Sequence, residues 1–364
     1  MKILYVTTVL RTVNAFLIPH IKMLIDQGHK VDVASNTLKS DISRLLELGC
    51  EVFNVPFQRS PLKKDNINAY KLIKEILFTG DYDIVHTHTP IASTITRLAC
   101  RNIEGVKVFY TAHGFHFYKG APFINWLIYY PIERFLSNYT DVLITINKED
   151  YNRAKKFNAK KLLYIPGVGL DISKFRDVIV DRIKKRREVG IPEDSFVLLS
   201  VGELNKNKNH EVVIKAIAKL KNPSIYYIIC GQGPLENYLK QIITELNLEK
   251  QVKLLGFRED VNEIYKAADV FVFPSYREGL PVSLMEAMAS GLPVICSNIR
   301  GNNDLIEHGH GGYSVNPDDI DRWAVYIEKI LNDKKSDLGI INQNSIQSFD
   351  ISEILRIMSK VYSF

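Results

Sequence analysis

Short apolar runs rich in β-branched residues alternate with longer amphipathic stretches along nearly the whole chain. Strands that are apolar throughout and alternate with helices are typical of parallel sheets covered on both faces. We therefore predict an α/β chain with two Rossmann-like, doubly wound domains that face each other across a cleft. The first series of predicted strands covers 2–7, 30–34, 51–55, 84–88, 107–111, 142–146 and 162–165, and the second covers 196–201, 225–230, 251–255, 270–273, 293–296 and 312–315.

The turn-rich segment 166–170 (PGVGL) separates the two series and indicates the domain boundary. We predict an N-terminal domain over 1–166 and a C-terminal domain over 167–348. The remaining residues, 349–364, contain an amphipathic helix that we expect to pack back on the N-terminal domain. Ligands of doubly wound sheets bind beyond the carboxyl ends of the strands, so the loops that follow the strands should carry the site.

The amino-acid composition restricts the classes of function that the protein can have. Apolar residues make up 46% and charged residues 24% of the chain, as in ordinary globular enzymes. The net charge of +6 does not by itself argue for nucleic-acid binding, and it suits an anionic small molecule or an anionic membrane surface equally well. The basic run 182–187 (RIKKRR) is interpreted as a solvated face beside the domain linker, with a binding patch as the alternative.

The cysteines and the N-terminus indicate the compartment. The four cysteines lie far apart without a CxxC pair, which predicts buried free thiols in a reducing environment. The opening sequence MKILYVTTVL has no cleavage pattern and reads as a first strand, and no stretch is long enough to span a bilayer. We expect a cytoplasmic protein.

The segment 270–305 (VFVFPSYREGLPVSLMEAMASGLPVICSNIRGNNDL) carries the clearest chemical pattern. A strand should end at Phe273, and a loop should lead into a helix over 281–290 with Pro281 at its first helical position. The backbone N–H groups at such an N-terminus lack intrahelical partners and, together with the helix dipole, favour an anionic diphosphate. The amides in question belong to Val282, Ser283 and Leu284.

Two glutamates flank this predicted anion site. Glu286 shares a helical face with Val282 and Ser283, where its carboxylate can accept hydrogen bonds from vicinal hydroxyls such as those of a ribose. Glu278 precedes the helix and could meet the hydroxyls of a transferred sugar on the far side of the diphosphate. The alternative is that both are solvated surface glutamates, but the strand, loop and proline-started helix around them favour function.

A second polar loop follows the first strand of the C-terminal domain, in 201–217 (VGELNKNKNHEVVIKAI). A helix should begin near Asn209, with Asn207 or Asn209 as its cap. Lys206 and Lys208 lie on this loop at the carboxyl end of the strand, where one of them could neutralise a departing diphosphate. The alternative is that these lysines are solvated.

Histidines mark the N-terminal domain. His113 follows a predicted strand and precedes a glycine in YTAHGFHFYKG (110–120), a position that should face the cleft. His86 and His88 share one face of a strand, but no nearby carboxylate or cysteine completes a metal-ligand set. The sequence Asp81-Tyr82-Asp83 imitates a DxD metal motif, yet it precedes a buried strand. No metal site is predicted.

Aromatic residues are dense in 115–131 (FHFYKGAPFINWLIYYP), with Lys119 among them. A buried segment between domains is one interpretation. Contact with a membrane interface, where amphipathic rings prefer to lie, is the other.

The motifs together resemble the family 4 retaining glycosyltransferases, which have the GT-B fold. The likeness covers nearly the whole chain and includes Glu278 and Glu286 in EGLPVSLMEAMASGLPVI, together with AHGFH (112–116), GELNKNKNH (202–210), ICGQGPLENYL (229–239) and LLGFREDV (254–261). Among these enzymes the chain is most similar to those of bacterial capsule and exopolysaccharide assembly.

The resemblance implies a metal-independent hexosyltransferase that needs no cofactor. Its donor is expected to be a nucleotide diphosphate-sugar, in particular a UDP-sugar, held by the C-terminal domain. Its acceptor is expected to be a polyprenyl-diphosphate-linked saccharide, held by the N-terminal domain. The implied catalytic residues are His113, Lys208 and Glu278, and the implied donor-binding residues are Gly202, Gly231, Arg258, Arg277, Leu280, Pro281, Val282, Ser283 and Glu286.

One position departs from the family pattern: Glu203 stands where an arginine usually follows the glycine, so Arg277 or Lys206 would have to supply the second cation.

Two rival functions stay open, a nucleotide-sugar 2-epimerase of the same fold and a non-catalytic nucleotide-binding protein. Incubating a nucleotide-sugar without acceptor separates them, because the epimerase alone would return an epimerised donor. The expected location is the cytoplasm, with contact at the inner face of the membrane through 115–131, and no nucleic-acid partner is expected.

Overall fold

The computed structural model describes residues 1–38, 40–333 and 337–363. The chain divides into two compact units. Unit 1 comprises Met1–Gly169 and the C-terminal segment from Ser352 on, and unit 2 comprises Leu170–Ile351. The first division falls inside the turn-rich segment 166–170, and the second falls at the start of the last helix.

Unit 1 contains a seven-stranded parallel sheet of order β3-β2-β1-β4-β5-β6-β7. Every strand predicted for this part of the chain is confirmed. The central strands are largely buried, as in a sheet covered on both faces, whereas the two edge strands are only partly buried. The strands are β1 (Lys2–Val9), β2 (Lys30–Asn36), β3 (Val52–Asn54), β4 (Ile84–His88), β5 (Lys107–Ala112), β6 (Val142–Thr145) and β7 (Lys161–Tyr164).

Helices cover both faces of this sheet. A π-helical turn over Val13–Leu17 precedes the α-helix Ile18–Asp26, which has Pro19 in its first turn. The α-helices of unit 1 that precede the linker are α1 (Leu10–Thr12), α2 (Ile18–Asp26), α3 (Ser43–Glu47), α4 (Asp65–Gly80), α5 (Pro90–Cys100), α6 (Phe123–Leu136) and α7 (Lys148–Ala154).

Unit 2 repeats the architecture with a sheet of order β10-β9-β8-β11-β12-β14-β13. Its predicted strands are all confirmed, while β13 was not predicted because two exposed residues give no apolar pattern. The strands are β8 (Phe196–Val201), β9 (Ile225–Cys230), β10 (Val252–Gly256), β11 (Val270–Phe273), β12 (Val294–Ser297), β13 (Glu307–His308) and β14 (Gly311–Val315). The helices that follow Gly169 are α8 (Ser173–Arg176), α9 (Arg182–Glu188), α10 (His210–Leu220), α11 (Glu236–Glu245), α12 (Val261–Ala267), α13 (Val282–Ala289), α14 (Asn302–Leu305), α15 (Ile320–Asn332), α16 (Leu338–Ser345) and α17 (Ile351–Tyr362).

The last helix, α17, joins the core of unit 1. Its residues Ile354, Met358 and Val361 are buried in the same cluster as apolar side chains of β1 and β2. The hydroxyl of Tyr362 lies 2.6 Å from that of Tyr5 in β1, and both side chains are buried. The helix thus fills one side of the first sheet.

The basic run 182–187 is only in part the solvated face that its composition suggested, since Arg182, Lys184 and Arg187 are exposed but two other members are not. It forms most of α9, and Lys185 and Arg186 are buried. Arg186 donates to Asp269 at 2.7 Å, and Lys185 donates to Asp260 at 2.9 Å. Carboxylates distant in sequence therefore neutralise these charges, which makes their burial tolerable.

The cysteines are confirmed as buried free thiols at Cys50, Cys100, Cys230 and Cys296. Over residues 1–38, 40–333 and 337–363, no helix is both long and apolar enough to cross a bilayer.

Candidate active site

Two loops of unit 2 meet at the carboxyl ends of neighbouring strands. β8 pairs with β11 in parallel, so the loops after them, 202–209 and 274–280, emerge side by side. The backbone N–H of Tyr276 donates to the Asn207 carbonyl oxygen at 2.8 Å, and the Asn207 side chain donates to the Arg277 carbonyl oxygen at 3.0 Å. Residues distant in sequence are thereby fixed next to each other.

This junction brings Lys208 and Glu278 into direct contact. The Lys208 ammonium donates to a Glu278 carboxylate oxygen at 2.8 Å, and the side chains are 19% and 15% exposed. The ammonium also lies 4.6 Å from the centroid of the Phe273 ring. The sequence placed these two charges on different parts of a ligand and did not indicate their pairing.

Gly202 makes room for this lysine. A Cβ atom at Gly202 would lie 3.1 Å from Cε of Lys208, closer than ordinary van der Waals contact. The lysine side chain therefore lies along the backbone of Gly202. This packing explains the glycine without requiring that it touch a ligand.

The start of α10 differs from the expectation in one respect. Asn209 is the N-cap residue, but its side chain does not cap the helix. It donates instead to the carbonyl oxygen of Pro317 at 2.8 Å, which ties the 202–209 loop to the loop before α15.

The helix predicted over 281–290 is α13, with Pro281 as its N-cap rather than its first helical residue. Within the described part of the chain, no side chain caps this N-terminus, so the first amides of the helix have no capping oxygen. Val282 and Ser283 are partly exposed, whereas Leu280 and Leu284 are buried. The geometry keeps the N-terminus of α13 accessible to an anion.

The loop before α13 is held from behind by a turn that the sequence analysis did not single out. Arg300 donates through Nε to the Glu278 carbonyl oxygen at 3.1 Å. A Cβ atom at Gly301, where φ is +81°, would lie 2.3 Å from the carbonyl oxygen of Gly279. The sequence feature that could have indicated this turn is the Arg-Gly pair in SNIRGNND, since a glycine in this backbone conformation often marks close packing.

Glu286 lies on α13 and is half-buried. The buried hydroxyl of Tyr265 lies 2.9 Å from an oxygen of its carboxylate and 2.9 Å from the Ser283 carbonyl oxygen, so the single hydroxyl hydrogen is shared between these two acceptors. Burial raises the pKa of Glu286 to about 7, although the hydrogen bond from Tyr265 opposes the shift. Tyr265, on α12, fixes the orientation of this carboxylate and was not predicted.

Two members of the predicted donor set have structural partners of their own. A Cβ atom at Gly231 would lie 1.8 Å from the carbonyl oxygen of Gly202, so the glycine is required for loop packing. Arg258 donates to Glu188 at 2.7 Å and to Asp260 at 2.6 Å. Arg277 is exposed beside the loop junction. Their contacts with a donor stay predictions.

In unit 1, His113 follows β5 as predicted and is half-buried. Its Nε2 lies 3.0 Å from Nδ1 of His88, so one of these nitrogens donates and the other accepts. Burial, together with the nearby His20, lowers the pKa of His113 to about 4. The imidazole is therefore neutral around pH 7.

His86 and His88 do not form an isolated metal pair. Both ring nitrogens of His86 have partners, the hydroxyl of Tyr362 and, at 2.8 Å, that of Thr111. His88 contacts His113, which makes it a neighbour of the predicted catalytic residue. Burial lowers the pKa of His86 and of His88 well below the usual histidine value.

Comparison with known proteins matches both halves of the chain. The family described as Glycosyltransferase Family 4 matches residues 16–168, and that described as Glycosyl transferases group 1 matches residues 181–346. The putative glycosyltransferase EpsD of Bacillus subtilis is 37% identical, with coverage of 100% of this chain and 96% of that protein. The UDP-Gal:alpha-D-GlcNAc-diphosphoundecaprenol alpha-1,3-galactosyltransferase of Escherichia coli is 36% identical, with coverage of 77% of this chain and 73% of that protein.

Solved structures match the fold over the whole chain. Anabaena Alr3699/HepE, solved in complex with UDP and glucose, has a TM-score of 0.82 at 24% identity, covering 100% of this chain and 99% of its own. WaaG, a glycosyltransferase involved in lipopolysaccharide biosynthesis, has a TM-score of 0.78 at 18% identity and covers 99% of each chain. The chain therefore belongs to the family 4 glycosyltransferases and is a glycosyltransferase with two Rossmann-like domains in the GT-B fold.

Proposed function

We propose that this glycosyltransferase transfers a hexose from a UDP-sugar to a lipid-linked saccharide, with retention of anomeric configuration and without a metal ion. The observation that carries the proposal is the Lys208–Glu278 pair, which lies at adjoining strand ends on the loops before α10 and α13. A cation, a carboxylate and an accessible helix N-terminus in one unit provide separate partners for a diphosphate and for a sugar.

The ion pair exchanges partners when the donor binds. The Lys208 ammonium turns to the diphosphate, where it stabilises the negative charge that grows as the glycosidic bond breaks. Glu278 then accepts hydrogen bonds from hydroxyls of the transferred sugar. In the absence of donor, the contact at 2.8 Å keeps both side chains ordered and neutralises their charges. The donor then replaces it by contacting each side chain separately.

Glu286 serves the nucleoside end of the donor. Its carboxylate accepts hydrogen bonds from the two ribose hydroxyls, while the Tyr265 hydroxyl holds it in place at 2.9 Å. The N-terminus of α13, with a partial charge of about +0.5, faces the diphosphate.

His113 acts as a neutral hydrogen-bonding group. With its pKa lowered to about 4, the imidazole carries no charge at pH 7 and is a poor proton acceptor for catalysis. It contacts the donor sugar near the reacting carbon, and the donor phosphate takes the proton of the attacking hydroxyl. Retention then follows from attack on the face that the leaving group vacates.

The acceptor is proposed from two observations. The relative from Escherichia coli carries a diphosphoundecaprenol saccharide in its name. In this chain, α6 presents a row of large apolar side chains to solvent, which suits the interface of a membrane. The exposed residues are Phe123, Ile124, Leu127, Ile128, Ile132 and Phe135.

Only part of 115–131 contributes to this apolar surface. Phe115 and Phe117 are buried in a cluster with Leu143 of β6, which places them in the core of unit 1. The exposed Lys119 precedes the apolar row and the exposed Arg134 lies near its end, and both suit anionic headgroups. We propose that α6 rests on the cytoplasmic face of the membrane.

A donor panel tests the activity. UDP-, GDP- and ADP-sugars are incubated with the protein, and nucleotide release is measured with and without a diphosphoprenyl saccharide. We expect release from a UDP-sugar, faster with acceptor, and an α-linked product from an α-linked donor by NMR. Release from GDP-sugars alone would exclude the UDP assignment, and an epimerised sugar without transfer would establish the 2-epimerase.

Vesicle sedimentation tests the membrane contact. Phe123→Ser and Leu127→Ser should weaken binding to anionic vesicles and leave UDP-sugar hydrolysis unchanged. Phe78→Ser is the matched control, because Phe78 is 84% exposed on α4. Equal binding by all variants would refute the role of α6.

A further inference from the structure

An apolar cavity of about 360 Å³ lies in unit 1 beside α6. Its volume falls within the roughly 300–1,000 Å³ that small-molecule sites occupy. The wall combines side chains from the 61–62 loop, α5, the segment after β5 and α6. Apolar groups dominate this wall, among them Leu62, Ile91, Phe117, Ile128 and Ile132.

The carboxylate in the wall, that of Glu133, is already matched within the protein. The Glu133 carboxylate accepts from Arg97 at 2.8 Å and from the Tyr110 hydroxyl at 3.4 Å, and all three side chains are buried. The Arg97 guanidinium also stacks over the Tyr110 ring, 4.2 Å from its centroid. A sugar or a phosphate inside the cavity would therefore lose its hydration without gaining strong partners.

The cavity connects two functional regions of unit 1. At its mouth lie Leu62, Ile128 and Ile132, which are 92%, 45% and 41% exposed. The last two belong to the apolar row of α6 that is proposed to meet the membrane. Gly114, which directly follows His113, also lines the cavity.

We propose that this cavity binds a hydrocarbon chain, namely the isoprene units next to the phosphate of a polyprenyl-linked acceptor. The inference rests on the proposed function for the identity of the chain. A chain that leaves the bilayer along α6 would enter at Leu62 and end near His113. The exposed Lys63 and Lys64, directly after Leu62, suit the anionic headgroups of the bilayer surface from which the chain would enter.

Calorimetric titration in water tests the cavity without a sugar acceptor. The probes are farnesyl phosphate, the shorter geranyl phosphate and inorganic phosphate. We expect farnesyl phosphate to bind about tenfold or more tightly than geranyl phosphate, because additional methylene groups are buried. Inorganic phosphate should neither bind nor compete, and competition at equal concentration would show a headgroup site instead and overturn the proposal.

A matched pair of variants locates the binding. Ile128→Trp places a larger ring in the mouth of the cavity and should weaken farnesyl phosphate about tenfold or more, because the ring excludes part of the chain. Ile124→Trp is the control, one helical turn earlier on the same exposed row and outside the cavity wall. Equal affinity in the two variants would place the chain elsewhere and overturn the proposal.

Nucleotide release from a UDP-sugar, measured on the same variants, separates the two proposals. Both tryptophan variants should keep it, since both residues lie on α6 in unit 1 and the donor is proposed to bind to loops of unit 2. Binding of farnesyl phosphate without any activity on UDP-sugars would refute the proposed donor and leave the lipid site standing. Activity on UDP-sugars without lipid binding would refute the cavity alone.

Discussion

Replacing Glu286 with glutamine should make the protein more stable at pH 8 and at the same time weaken its binding of UDP. The folded protein raises the pKa of this carboxyl from 4.5 to about 7, because burial disfavours its charge. Between these values folding takes up a proton, so the stability of the wild type falls as the pH rises from 4.5 through 7. At pH 8 the loss amounts to about 3 kcal/mol.

A glutamine side chain has the same shape as the glutamate and still offers an oxygen that can accept a hydrogen bond from Tyr265, but it carries no charge that must be buried. The Glu286→Gln variant should therefore exceed the wild type in unfolding free energy by about 3 kcal/mol more at pH 8 than at pH 4.5. Urea unfolding can follow unit 2 alone. The chain has two tryptophans, so in a Trp126→Phe background the buried Trp323 reports on unit 2.

The same variant should bind UDP roughly tenfold more weakly at pH 8, since hydrogen bonds to a charged acceptor exceed neutral ones by about 1–2 kcal/mol. Binding by the wild type should weaken as the pH falls from 8 to 6 and the carboxylate takes up a proton. Binding by the variant should weaken less over this range, because only the terminal phosphate of UDP, with a second pKa of about 6, then takes up a proton. Glu328→Gln, at an exposed position of α15, is the control.

Two results would refute this reasoning separately. If the stability difference between variant and wild type is the same at pH 8 and pH 4.5, burial does not raise the pKa of Glu286. If the variant binds UDP as tightly as the wild type, Glu286 does not contact the ribose.

Three further predictions concern the proposed donor site. Lys208→Ala should lower kcat about 10²–10³-fold and raise the donor KM less, because the charge of Lys208 acts on the leaving diphosphate. If kcat instead falls in Lys206→Ala or Arg277→Ala and not in Lys208→Ala, that other residue is the cation that stabilises the diphosphate. Tyr265→Phe should raise the Kd for UDP with little change in kcat, since the hydroxyl orients Glu286; an unchanged Kd in calorimetry would show that the carboxylate needs no such support. Activity should survive EDTA, and its loss followed by rescue with Mg²⁺ or Mn²⁺ would show a metal requirement.

The sequence predicted the architecture well because apolar periodicity determines which segments are buried in parallel sheets. It also predicted α13 and the position of Glu286 on it, since both follow from local spacing. It could not predict the Lys208–Glu278 pair, whose members are 70 residues apart and meet only because β8 and β11 are neighbours.

Predictions from composition failed where tertiary partners decide the environment. The run RIKKRR has the charge of a surface helix, yet Asp260 and Asp269, far along the chain, allow Lys185 and Arg186 to be buried. Tyr265 likewise belongs to an ordinary amphipathic pattern, and nothing local distinguishes it from a packing residue. Its role depends on an acceptor 21 residues away.

The bond between Tyr5 and Tyr362 joins positions 357 residues apart, and this separation constrains how the protein is made. A ribosome releases the first strands long before α17 exists, so the apolar surface that α17 covers stays uncovered until that helix has been synthesised. Unit 2 is continuous in sequence and can fold during that interval, whereas unit 1 cannot be completed. Nascent chains halted just short of residue 351 should expose this surface, recruit chaperones and yield to protease within unit 1 while unit 2 resists.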